Sequence, residues 1–242
     1  MLWPAGEPWP FCGSSEHEDL PGSQPIAMVP ILQLYARDVP ELPFPAATNL
    51  CQVLWCPFVH EYDYRPVVHV SWRDSSTVTD VLAHPPQPVA SEEGLLPKPC
   101  TLSPERVTEY PAWELPEEVT EKIRAWQESR QRNPDGWEYD YHLAVAPGTK
   151  VGGWISWIQA PETVTCDQGH QMHHLLTIAS WEHEPGSAQR WTPLQERHLL
   201  GPDFDPNRLS PTGLLIGDAG SIYLFTCLQC PDRPVAGVSQ WS

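Results

Sequence analysis

Apolar and β-branched segments predict short buried strands in both halves of the chain, separated by proline-rich loops. The segments are bounded by Pro, Gly, Asn and Asp, which is typical of strands that end in turns. The predicted strands are 28–35, 51–56 and 67–72 in the first half and 150–158, 175–179 and 221–225 in the second. Because 29 prolines and 15 glycines disfavour long helices, we predict an α+β fold that is predominantly β.

One helix is predicted, at residues 116–132, in the region between the two β-rich halves. Pro116 suits the first position of a helix, where its missing N–H leaves no hydrogen bond unmade. Val119, Ile123 and Trp126 follow at the spacing of one helical face. The turn-forming sequence Asn-Pro-Asp-Gly at 133–136 is expected to end the helix.

The two halves share one order of features, which predicts an internal duplication. In each half, tryptophans precede a cysteine and a histidine, the pattern Met-x-x-apolar-apolar-polar-apolar follows, and a later apolar segment ends at a second cysteine. We therefore predict a first β-rich repeat at 1–88, a connecting region with the helix at 89–148, and a second β-rich repeat at 149–242.

Each half also carries two short pairs of residues that bind zinc in other proteins. The pairs are Cys12-x4-His17 with Cys56-x3-His60, and Cys166-x3-His170 with Cys227-x2-Cys230. Ligands separated by two to four residues on a turn can converge on a tetrahedral ion at about 2.0–2.3 Å. We predict structural zinc, which would add folding free energy to a loop-rich chain. The alternative is that these are reduced, buried cysteines near one of ten histidines by chance.

Other residues of these types are expected to have structural roles. Cys51 and Cys100 are predicted to be core or loop thiols, and His173 and His174 are predicted to be neighbours in a strand. Gly152-Gly153 fits neither phosphate-binding glycine motif, so it indicates a bulge or a tight backbone approach within a strand.

The net charge of −17 favours a basic protein as partner. The chain has no basic stretch to contact phosphates, which argues against nucleic acid, and no apolar run long enough for a membrane span. Seven cysteines in a chain of 242 residues do not resemble a small disulfide scaffold, and we expect a cytoplasmic protein. Most of the twelve tryptophans are expected in the core, with a few exposed at a binding surface.

No catalytic motif is present, so the leading hypothesis is a non-enzymatic protein-interaction module. An immunity protein that neutralises a toxin is a second hypothesis. A metal-dependent hydrolase is a third, and it would need an open coordination position beside a general base such as His60, Glu61 or His170.

Several motifs together resemble the YwqG-like bacterial domain of unknown function, in its actinobacterial type. The motifs of the second half are Lys-Val-Gly-Gly at 150–153, Trp-Ile-Gln at 157–159, the knuckle at 166–172, Gly-Asp-Ala-Gly at 217–220 and Tyr-Leu-Phe-x-Cys at 223–227. In the first half they are Leu-Trp-Pro-Ala-Gly at 2–6, Gln-Val-Leu-Trp-Cys-Pro at 52–57 and Pro-Glu-Arg-Val-x-Glu-Tyr-Pro at 104–111. The same plan is more remotely similar to programmed cell death protein 2 and its ribosome-maturation relatives.

The resemblance covers nearly the whole chain and implies a duplicated, β-rich fold with no established activity. The remote relatives are dedicated chaperones for a basic ribosomal protein, which implies a chaperone-like role toward a basic client.

The chain departs from the family in two places. His170 stands where members usually have the second cysteine of Cys-x2-Cys, so zinc there requires His170 as a ligand. The strand and Gly-Gly pair expected before Leu2 have no counterpart, so we expect either a shortened first repeat or a misplaced start codon.

Overall fold

A computed structural model of the chain describes residues 1–13, 17, 25–60, 64–183, 186–201 and 209–242. The strands of these ranges form three antiparallel sheets. The first pairs β1 (Phe11–Cys12) with β2 (Ile26–Ala27); the second contains β3 (Val29–Tyr35), β4 (Leu50–Trp55) and β5 (Val68–Arg73); the third contains β6 (Lys150–Val151), β7 (His173–Ala179), β8 (Ser221–Thr226) and β9 (Val235–Gln240). Helical segments are few, which confirms the predicted α+β, predominantly β class.

The helical segments lie mainly in the connecting region and in the loops of the second half. The helical segments with bounds in the described ranges are α1 (Glu117–Gln127), α2 (Ala188–Trp191), the 3-10 turns at Ser75–Thr77 and Arg197–Leu199, and a π-helical segment at Tyr139–Ala144. None of the helices in the described ranges is both long enough and apolar enough to cross a bilayer.

The two larger sheets have the same strand register. Leu32 of β3 lies opposite Val53 of β4, and Leu176 of β7 lies opposite Leu224 of β8. In both pairs the register shifts at the third residue of the first strand, between Pro30 and Leu32 and between His174 and Leu176. The two sheets therefore share both their strand pairing and the position of a bulge. In the described residues, the first half has no counterpart of β6.

One large apolar core lies between the two larger sheets and is built from both halves. Alternate residues of the fully buried strands β4 and β8 face it, as the two-residue period of a strand requires. The halves are therefore packed on a shared core. Its central members are Leu34, Cys51, Val53, Trp55, Leu95, Leu176, Ile178, Leu214, Ile216, Ile222 and Leu224.

Two smaller clusters cover the outer faces of these sheets. The cluster on the first sheet contains Trp3, Trp9, Cys12, Ala27, Met28, Leu54 and Cys56. The cluster on the second contains Cys166, Met172, Tyr223, Phe225, Cys227 and Cys230. Each cluster thus places predicted zinc ligands between a sheet and the loops outside it.

The structure shortens the predicted helix and one predicted strand. The helix ends at Gln127, five residues before 132, because the Ser129 N–H bonds to the carbonyl of Trp126 and the chain continues as turns. The strand predicted at 150–158 ends at Val151, because Gly152 and Gly153 both have positive φ and turn the backbone away.

Fewer tryptophans are buried than the sequence indicates. Trp3, Trp9 and Trp55 are buried, whereas Trp113 and Trp154 are exposed and the other seven are half-buried. The expectation that most would be core residues is therefore wrong, since nine of the twelve are half-buried or exposed.

Candidate metal centres

The structure brings all eight predicted ligands into two groups of four. The first group, the first tetrad, contains Cys12, His17, Cys56 and His60; the second tetrad contains Cys166, His170, Cys227 and Cys230. Within each group, the ligand atoms all lie within 4.8 Å of one another. Each tetrad joins a pair of ligands from one part of its half to a pair that follows a central strand.

Local structure around the first tetrad positions its ligands. Cys12 ends β1, which pairs with β2, and Cys56 directly follows β4. The N–H of His60 donates a hydrogen bond to the carbonyl of Arg65 at 3.1 Å. The sulfur of Cys12 lies 3.6 Å from Nε2 of His60, and that of Cys56 lies 3.3 Å from Nε2 of His17.

The second tetrad is built in the same way. Gly169 has a positive φ and donates its N–H to the carbonyl of Cys166 at 2.8 Å, which forms the turn that presents His170. Cys227 directly follows β8. Nδ1 of His170 lies 3.7 Å from the sulfur of Cys227 and 3.5 Å from that of Cys230.

These distances match the edges of a zinc tetrahedron. With Zn–S about 2.3 Å and Zn–N about 2.0 Å, tetrahedral geometry places two sulfurs about 3.8 Å apart and a sulfur and a nitrogen about 3.5 Å apart. The sulfurs of Cys166 and Cys230 are 3.8 Å apart, and the four sulfur–nitrogen distances above range from 3.3 to 3.7 Å. Both tetrads fit zinc, and none of the seven cysteines, all of which lie in the described ranges, forms a disulfide.

The pKa values of the cysteine thiols in the tetrads also favour a bound cation. A hydrogen bond with Cys12 and burial together hold the pKa of Cys56 far above its ordinary value, so without a metal this thiol stays protonated. Burial and the sulfurs of Cys227 and Cys166 raise the pKa of Cys230 to about 12. Burial opposes ionisation of Cys227 as well, but hydrogen bonds from the N–H groups of Cys230 and Gln229 and from the side chains of Cys230 and His170 together outweigh burial and lower the pKa of Cys227 to about 6. A divalent cation would stabilise all these thiolates at once.

The tetrads differ in charge and in exposure. With zinc bound, the first tetrad has two thiolates and no net charge, and all four of its residues are buried. The second has three thiolates and a net charge of −1, with His170 half-buried. A cavity of about 440 Å³ opens beside it, lined by Cys166, His170 and Cys230 together with polar residues such as Asp167 and Asp232. The charged centre is thus the one nearer water, as the cost of burying a charge requires.

The remaining candidates from the sequence lie outside the tetrads. Cys51 is a buried core thiol whose pKa burial raises to about 12, and Cys100 is exposed in the connecting region. His173 and His174 are neighbours in β7, as expected. Glu61, the candidate general base, lies outside the described residues.

Sequence reasoning missed one buried ion pair. Glu109 accepts a hydrogen bond from Nζ of Lys150 at 2.8 Å, and both side chains are largely buried. The same carboxylate accepts the N–H groups of Ala146 at 2.8 Å and Trp154 at 3.0 Å. It occupies the space that a side chain on Gly153 would need, so the predicted tight approach is confirmed at Gly153 but not at Gly152, and both glycines follow the strand. The sequence signal for this pair was Lys150, the one charged residue of the predicted strand 150–158, because a buried lysine requires an acidic partner.

Comparisons with protein-family models and with curated proteins find no match to this chain. The resemblance to the YwqG-like domain therefore stays a prediction.

Proposed function

We propose that this protein is a non-enzymatic, cytoplasmic protein-interaction module that binds a basic protein in a chaperone-like manner. In this proposal zinc stabilises the fold and takes no part in chemistry. The observation that carries the proposal is an exposed apolar segment at residues 101–127, here called the connector arm.

The connector arm exposes apolar side chains along its length. Every residue from 101 to 108 is exposed and has no regular secondary structure, and helix α1 contains no buried residue. Aromatic residues exposed in this way are enriched at protein interfaces. The exposed large apolar residues of the arm are Leu102, Val107, Tyr110, Trp113 and Val119.

Helix α1 is amphipathic, as helices that pack against another surface usually are. Val119, Ile123 and Trp126 lie on one face, while Glu117 and Glu121 lie on the other. Helices of this length are marginal when isolated and normally gain stability by burying an apolar face. A partner that covers this face would supply that stabilisation.

Charge supports a basic partner. The chain has 31 acidic and 14 basic residues, and the first turn of α1 is acidic. An acidic surface speeds association with a basic protein and disfavours nucleic acid.

The metal centres support a structural role. Each tetrad supplies four protein ligands whose atoms lie within 4.8 Å of one another, whereas catalytic zinc keeps a position open for water or substrate. This arrangement argues against the hydrolase hypothesis. Nothing in the described residues favours the immunity-protein hypothesis over a chaperone-like role.

Site-specific photo-crosslinking in the protein's own cells tests the proposal. We expect a crosslinking amino acid at Val119 to give one discrete adduct with a basic protein. The matched control carries the same amino acid at Glu121, on the opposite face of α1, and should give none. Adding the substitution I123D to the protein labelled at Val119 should abolish the adduct. Equal labelling from both positions would refute the docking face, and an adduct with an acidic protein would refute the basic client.

A further inference from the structure

We propose that the second tetrad is an oxidation site, at which a peroxide joins Cys166 and Cys230 in a disulfide and releases zinc. The first tetrad keeps its metal under the same conditions. The inference requires that both tetrads bind zinc, and it is independent of the proposed partner.

Access separates the two tetrads. Cys166 and Cys230 line the open cavity beside the second tetrad and are each 9% exposed, whereas Cys12 is 4% exposed and Cys56 is fully buried. The cavity gives small polar oxidants a route from solvent to the second tetrad. In the first tetrad, Cys12 and Cys56 are packed among Trp3, Trp9 and Met28. Oxidation of thiolates follows their exposure, so the second tetrad is the one attacked.

Geometry selects the pair that is joined. The sulfurs of Cys166 and Cys230 are 3.8 Å apart, and a disulfide requires about 2.05 Å. The two sulfurs therefore have to approach each other by less than about 2 Å to form the bond. The third sulfur, on Cys227, is fully buried. Cys227 does not line the cavity that opens on the other two sulfurs.

Ligand composition favours the same tetrad. Its three thiolates give the zinc centre a net negative charge, and the thiolate is the form of cysteine that attacks an oxidant. At the position of Cys230 the first half has His60, which cannot form a disulfide. The exchange of Cys230 for His60 thus distinguishes the tetrad that can be oxidised to a disulfide from the one that resists it.

The chemical step balances with hydrogen peroxide as the oxidant. One of the two thiolates attacks an oxygen of the peroxide, so the O–O bond breaks, a sulfenic acid forms and hydroxide leaves. The second thiolate attacks that sulfur, the S–S bond forms, and a second hydroxide leaves. Two sulfurs lose two electrons in total, the peroxide is reduced, and two protons from solvent convert the hydroxides to water. Only Cys227 and His170 then remain as ligands, so zinc dissociates.

The test uses the full-length zinc-loaded protein, hydrogen peroxide and a chromogenic zinc chelator, with zinc content measured beforehand. We expect release of one of two zinc ions, a Cys166–Cys230 disulfide in peptide mapping, and recovery of the zinc after reduction and addition of zinc. The control C100S removes the exposed cysteine outside the tetrads and should leave the release unchanged. A protein that contains no zinc before oxidation would overturn the premise.

The substitution C230H gives the second tetrad the ligand set of the first and is the decisive variant. It should hold two zinc ions and release neither at the peroxide dose that empties one site of the wild type. If C230H does not fold, disulfide mapping of the wild type still decides the question. Equal loss of both zinc ions, a Cys12–Cys56 disulfide, or no release from the wild type would each overturn the proposal.

Discussion

Gly152 and Gly153 provide a sharp test of the buried ion pair between Glu109 and Lys150. Both glycines have positive φ, at 60° and 68°, so alanine at either position is strained by about 1 kcal/mol. A Cβ on Gly152 would meet nothing, whereas a Cβ on Gly153 would overlap Oε1 of Glu109. Only G153A must therefore displace the carboxylate.

Displacing Glu109 affects more than the salt bridge. The carboxylate accepts hydrogen bonds from Lys150, Ala146 and Trp154, and its side chain is 11% exposed against 13% for Lys150. Disrupting a buried pair of this kind typically destabilises a protein by about 3–5 kcal/mol. Part of this cost is recovered if the side chain of Glu109 shifts and keeps some of its hydrogen bonds. We therefore expect G153A to lower the free energy of unfolding by about 3–5 kcal/mol in total, against about 1 kcal/mol for G152A.

Urea unfolding of zinc-saturated protein, followed by tryptophan fluorescence, measures the difference. The double variant with E109A supplies the control for mechanism. Once the carboxylate is absent, G153A should cost only about 1 kcal/mol more, because the overlap no longer exists. Equal destabilisation by G152A and G153A, or strict additivity of G153A with E109A, would refute the reasoning.

Three further predictions concern the metal centres, a buried histidine and the shared core. C56S and C227S should each lose one zinc of two by elemental analysis and unfold at lower temperature; unchanged zinc content in either would contradict the assignment of that tetrad. Burial, reinforced by the positive charge of Lys150, lowers the pKa of His174 to about 4 from an ordinary value of 6.5. The unfolded chain therefore takes up the proton first, and stability is lost as pH falls from about 6.5 toward 4, by up to about 3 kcal/mol. H174Q should reduce that slope relative to wild type in urea titrations, and an unaltered slope would contradict it. L224A should lower stability by about 2–5 kcal/mol while fluorescence and circular dichroism still report one coincident transition, and separate transitions would contradict the shared core.

The central strands can be predicted to within a residue or two because they are buried on both faces. β4 and β8 appear in the sequence as short apolar runs between turns, and neither requires knowledge of its neighbours. β9 gives no comparable signal, because its sequence, Val-Ala-Gly-Val-Ser-Gln, is half-buried and contains Gly237. An apolar run also does not say what covers it, so the single core shared by the two halves does not follow from the sequence.

The ligand sets can be predicted because the spacing within each pair is local and a turn brings its two members together. The strand order then has only to place one pair beside the other. Glu109 and Lys150 are a different case, since they are distant in sequence and their meeting depends on the path of the whole connecting region. Contacts of that kind leave no periodic signal in one sequence.

The Glu109 network also links the stability of the second half to the proposed interaction surface. Glu109 lies within the connector arm, and the N–H of the next residue, Tyr110, bonds to the carbonyl of Ala144 at 2.8 Å. The hydroxyl of Tyr139 donates to the carbonyl of Pro111 at 2.9 Å, which fixes the chain just before α1 begins. Because these bonds hold the base of the arm, its exposed apolar face is presented from a fixed position, and less entropy is lost when a partner binds it. A substitution that displaces Glu109 should therefore weaken partner binding as well as folding.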